Sequence, residues 1–183
     1  MTEEVLCNGW IATYTGKAFK PLDPKPEDIC IEDIAHALSL ICRFTGHCKV
    51  FYSVAEHSIR CAAEARPEDR LWALLHDASE AYLADIARPV KERIPGYAEA
   101  EDRLLRMIIE KYGLTWPMPA AVKEIDHAML MTERRDVMPP GPNWGDWCKG
   151  ILPYGYKIEP LSSEFAETLF LAKFHDLMER QHV

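Results

Sequence analysis

The stretch "ALLHDASEAYLADIARPVK", residues 73–91, constrains this chain more than any other. Its apolar spacing asks for a helix that closes a core, yet His76, Asp77 and Glu80 sit within it. On this helix Glu80, four residues after His76 and three after Asp77, shares their side, which also carries Trp72 and Ala73. Ionisable groups on such a face need a partner, because an unpaired buried charge is costly.

The surrounding sequence supplies helices on which partners can sit. "IEDIAHALSLICRF", 31–44, repeats Ile31, Ile34, Leu38 and Ile41 at helical spacing, with Asp28 as an upstream cap. In "VFYSVAEHSIRCAAEA", Val54, His57 and Cys61 share one helical face. Pro67 ends that helix and opens the next, over 67–83. Further helices are expected at about 97–112, 119–137 and 162–180. "WIATYTGKAFKP", 10–21, suits a short hairpin turning at Thr15-Gly16. "MPPGPNWGDWCKGILPYGYKIEP" reads as a long ordered loop with a strand pair. The expected fold class is all-α: one domain over 1–183, a bundle of about five to six helices with a small N-terminal β-hairpin.

Asp126 sits among Val122, Met129 and Leu130, in the apolar stripe of its helix. His57, His76, Asp77 and Asp126, from three helices, therefore all ask for a partner, and one divalent ion would serve them together. Two imidazoles and two carboxylates suit Mn, Fe, Co, Ni or Zn better than Mg or Ca. Taken singly, each residue has a plainer explanation: a hydrogen-bonded core histidine, an Asp126 paired with Arg134 or Arg135, a solvated Glu80.

Composition narrows the function classes. A net charge of -8, from 29 acidic and 21 basic side chains, disfavours binding of a nucleic-acid polymer through a broad basic surface. A local basic pocket for a small phosphorylated ligand is still compatible with it. The six cysteines form no CxxC and read as reduced thiols of a cytoplasmic protein. "MTEEVLCNGW" has acids where a signal peptide has bases, and no apolar run suggests membrane association. Phe170 and Phe174 on the last helix suit either the core or a homo-oligomer interface, with the core preferred.

With "ICRFTGH", "SVAEHS", "LLHDASEAYLADIARPVK" and "EIDHAML" taken together, residues 31–137 resemble the HD-domain metal-dependent phosphohydrolases, whose pattern is H…HD…D on a helical core. The resemblance is closest to small bacterial 5′-deoxynucleotidases and related phage and prophage hydrolases, including a deoxyadenosine-triphosphate triphosphohydrolase group. It implies His57, His76, Asp77 and Asp126 as metal ligands, and Glu80 and Asp85 as the groups that position water and handle protons. It further implies Arg43 and Phe44 at phosphate and sugar and Lys91 at phosphate, with His47 and Arg88 as additional substrate contacts. Residues 78–125 contain no histidine for a second tightly held metal, so any Mg would arrive with substrate phosphates. The expected activity is cleavage of the 5′ phosphoester of a deoxynucleoside mono- or triphosphate. The alternative is a catalytically silent module that binds metal or nucleotide.

Overall fold

The computed structural model describes residues 9–181; Cys7, and most of the segment read above against a signal peptide, lie outside them. Strands β1 (Ile11–Ala12) and β2 (Ala18–Phe19) pair antiparallel, Ile11 opposite Phe19. Gly16, at φ +82°, makes the turn and donates its N–H to Thr13 O. The tip is pinned where the Thr15 N–H and hydroxyl donate to Asp33 at 2.6 and 3.0 Å. Phe19 is fully buried and stacks on Tyr82, ring centres 3.9 Å apart.

Helix α1 (Ile31–Leu40) buries Ile31, Ile34 and Leu38 as the periodicity requires, but stops before the expected residue 44. The chain instead forms an antiparallel bridge between Cys42 and Ser53, with Arg43 N–H donating to Tyr52 O and Val54 N–H to Ile41 O. Backbone pairing across the connection thus replaces the last helical turn and carries Arg43 away from the helix axis. Asp28 closes a short 3-10 turn over Pro26–Asp28 rather than capping α1, whose N-cap is Cys30.

Helix α2 (Val54–Glu64) begins at Ser53, whose hydroxyl accepts the Glu56 N–H at 3.1 Å. The helix expected over 67–83 is divided. A 3-10 turn at Pro67–Asp69 leads into α3 (Arg70–Leu75), and α4 (Glu80–Leu83) follows a turn containing His76 and Asp77. Between them the bonds tighten to i→i+3: Ala78 N–H to Leu75 O, Glu80 N–H to Asp77 O and Tyr82 N–H to Ser79 O. Helix α5 (Arg88–Lys91) is a single turn opened by Pro89. The division and this added turn raise the number of helical elements above the five or six expected.

Helices α6 (Tyr97–Lys111), α7 (Ala120–Asp136) and α8 (Ser163–Gln181) fall close to their expected bounds. Helix α2 is central and packs against α1, α3, α7 and α8. One contiguous apolar cluster runs from Phe19 through Leu38, Leu74 and Ile108 to Phe170 and Phe174, which places both phenylalanines in the core. Between α7 and α8 the chain forms a loop with a 3-10 turn at Asp146–Cys148 and no strand pair. Arg60, Glu56 and Asp136 hold its far end: Arg60 donates to Glu159 O, and the Leu161 and Ile158 N–H groups donate to Glu56 and Asp136. The loop's Pro and Gly residues do not support a ladder, and side chains anchor it instead. No helix among the described residues is long and apolar enough to cross a membrane.

Candidate functional site

His57 lies on α2 and His76 at the end of α3, both buried. Each ring is held through Nδ1: His57 Nδ1 is 2.6 Å from Glu133 Oε1, and His76 Nδ1 is 2.8 Å from Ala73 O. A carboxylate and a carbonyl only accept, so both Nδ1 atoms donate. The two Nε2 atoms are then turned toward one another, 3.1 Å apart.

Two carboxylates join them. Asp77 Oδ2 is 3.3 Å from His76 Nε2 and 3.6 Å from His57 Nε2. Asp126 Oδ1 is 3.2 Å from His57 Nε2 and 4.0 Å from His76 Nε2. Ligands bound at about 2.1 Å to one ion stand roughly 3.0–4.2 Å from one another, so the spacing fits a shared cation. Burial opposes ionisation of Asp77 and Asp126, but the neighbouring imidazoles hold both carboxyls below their usual range, helped at Asp77 by Arg43.

Cys61, one turn beyond His57, adds a soft donor: its Sγ is 3.6 Å from His57 Nε2. The ligand atoms of His57, Cys61 and His76 all lie within 4.8 Å of one another, a buried group able to hold a metal ion. The shared helical face of His57 and Cys61 was the available sequence signal for it. The described cysteines are all free thiols.

Glu133 was not anticipated from sequence. It is fully buried, and while Oε1 meets His57, Oε2 accepts from Arg43 Nε and Nη2 at 3.2 and 3.1 Å. Its position seven residues after Asp126, two turns along α7, was the only hint. Burial opposes its charge, yet Arg43 and His57 keep the carboxyl below the usual range.

Arg43, expected at phosphate, directs these donors to Glu133 and Nη1 to Asp77 at 3.4 Å. It therefore braces the cluster while also lining the cleft above it. The next residues, Phe44 and Thr45, are left-handed at φ 56° and 54°. Such a run is costly for side-chain-bearing residues. Arg43 reaches the buried cluster with its guanidinium 5.4 Å from the Phe44 ring centre, while Phe44 joins the cleft wall.

That cleft has a volume of about 670 Å³, and Asp77 and Asp126 open onto it together with Glu80 and Asp85. Glu80 is 7% exposed, and its Oε2 has no hydrogen-bond partner among the described residues. Burial, then the charges of Asp77 and Asp85, push its pKa well above the usual carboxylate range; burial likewise raises Asp85. The strained Ala84, at φ 67° and ψ 157°, ends α4 and turns the chain into Asp85. His47, Arg88 and Lys91 also line the cleft. The Lys91 ammonium pairs with Glu101 at 2.6 Å, and the Arg88 guanidinium lies 5.8 Å over the Trp147 ring.

No protein-family model matches the chain. Over 171 residues it is 40% identical to the Escherichia coli K12 protein described as uncharacterized protein YfdR, spanning 93% of this chain and 96% of that one. The chain belongs to the YfdR family. An uncharacterized protein of Rhodobacter capsulatus is 43% identical over 124 residues, covering 62% of this chain and 63% of its own length. In this YfdR-family chain, the four residues named as ligands from sequence lie together, and the seven named for water, protons and substrate all line the adjoining cleft.

Proposed function

We propose that this chain is an HD-type, metal-dependent phosphohydrolase that cleaves the 5′ phosphoester of deoxynucleotides. The observation that carries the reading is Glu80: a buried carboxylate with an unpartnered oxygen, at the cleft edge beside converging imidazoles and carboxylates. A purely structural metal site has no use for such a group, whereas water activation does.

His57, His76, Asp77 and Asp126 would hold one divalent transition ion, with Cys61 beside them. When bound, the ion supplies positive charge for phosphoryl oxygens and lowers the pKa of water. Glu80, buried at the cleft edge, takes or holds the proton of the attacking water, and Asp85 serves the same water or the leaving oxygen. Lys91 and His47 attract the phosphate, Phe44 gives an apolar face to the sugar, and Arg88, held over the Trp147 ring, borders the substrate in the same cleft. Arg43 acts chiefly from below by fixing Asp77 and Glu133. Nucleotide substrates also agree with a cytoplasmic protein of reduced thiols.

The test is a panel of deoxynucleoside mono-, di- and triphosphates assayed with Mn, Co, Zn and Mg, identifying the released product. Metal-dependent release of phosphate marks a nucleotidase, and release of inorganic triphosphate a triphosphohydrolase. Metal-loaded protein that turns over none of them overturns the reading.

A further inference from the structure

Part of the cleft wall is aromatic. Phe44, Trp144 and Trp147 line it with Leu130 and Met138, and the four carboxylates that line the cleft are those of Asp77, Glu80, Asp85 and Asp126. Neither indole belongs to the buried apolar cluster of the fold. Both are nevertheless held by specific contacts. Trp144 packs on Phe44, ring centres 5.9 Å apart, and lies under the Arg134 guanidinium at 4.9 Å. Trp147 meets His127 edge-on at 5.9 Å and carries Arg88 over its ring, while remaining 44% exposed.

The backbone is arranged around them. Gly145, between the two indoles, has φ +96° and ψ 179°, a conformation essentially reserved for glycine. Arg134 ties the loop at Pro142 O, and the Cys148 thiol donates to Gly145 O. Two large aromatic surfaces held in place outside the core, and opening on a cleft, are suited to a planar ligand.

We infer that Trp144 and Trp147 form a nucleobase subsite, so that the base of the substrate stacks there while its phosphate lies at the metal end. This assignment rests on the proposed phosphohydrolase reading for the placement of phosphate, and on the aromatic geometry for the base. The roughly 670 Å³ of the cleft lies well within the range of sites that enclose whole organic ligands, about 300–1,000 Å³, and exceeds the needs of a sugar phosphate alone. Stacking favours any base and a purine over a pyrimidine, because it depends on ring area.

Calorimetric titration of the Mn-loaded full chain with the methylene phosphonate analogue of deoxyadenosine monophosphate, and with the same phosphonate lacking the base, tests the subsite. The base-bearing compound is expected to bind on the order of tenfold or more tighter. The double variant W144A/W147A should lose that advantage, whereas W144F/W147F should keep most of it. Equal binding of the two compounds by the unaltered chain, binding of neither, or an undiminished advantage in W144A/W147A overturns the subsite. Tight base-dependent binding without hydrolysis of any deoxynucleotide upholds the subsite and refutes the phosphohydrolase; hydrolysis without base dependence does the reverse.

Discussion

His57 Nδ1 and Glu133 Oε1 stand 2.6 Å apart, and both side chains are fully buried. The bond fixes the ring so that Nε2 faces His76, Asp77 and Asp126, and the same carboxylate holds Arg43. A residue outside the H…HD…D pattern thus orients the centre. Glu133→Gln, which can still accept from Nδ1–H but no longer balances Arg43, is expected to weaken metal affinity by about 10–100-fold. Competition with a chelator measures this. Glu133→Ala should in addition destabilise the fold by about 3–5 kcal/mol in chemical denaturation, since it leaves the buried Arg43 with only its longer contact to Asp77. Unchanged metal affinity in Glu133→Gln would show that the charge of Glu133 does not tune the site.

Cys61 and Asp126 compete for the role of ligand at the same imidazoles. Asp126→Ala is expected to lose bound metal, while Cys61→Ala retains one equivalent. Elemental analysis of the two purified variants decides it, and the opposite pattern would assign the site to the two histidines and the thiol.

Glu80→Gln is expected to lower turnover by about two orders of magnitude or more with metal content unchanged. Near-normal turnover would remove Glu80 from the chemistry.

The pH dependence of stability in chelator-treated protein has a definite sign. The folded pKa of Glu80 is raised, by burial and then by Asp77 and Asp85. Its favourable contribution is therefore complete below the unfolded value of about 4.3 and is lost as pH rises through the folded value. Glu80→Gln should gain in melting temperature over the unaltered chain as pH rises from about 4.3 through neutrality. A difference that stays constant across that range would mean the carboxyl is not strained by its surroundings.

Ala84 holds a backbone conformation suited to glycine, and its side chain is exposed, so removing the methyl opens no cavity. Ala84→Gly is expected to stabilise the fold by on the order of 1 kcal/mol, and Ala84→Val to destabilise it. Denaturation midpoints measure both; a destabilised Ala84→Gly contradicts strain at this turn.

Helical periodicity was enough to place α6, α7 and α8 and the core role of Phe170 and Phe174, because burial of one helix face is written locally in residue spacing. The same local logic singled out His57, His76, Asp77 and Asp126 as polar groups on apolar faces, each in need of a partner. Their convergence on one point was decided by the packing of α2 against α3 and α7, which joins residues far apart in the chain. The tightened turn after Leu75, the bridge that draws Arg43 out of α1, and the burial of Glu133 arise in the same way. Each depends on a charge or backbone group meeting a partner across the fold, and residue spacing along one helix holds no record of that meeting.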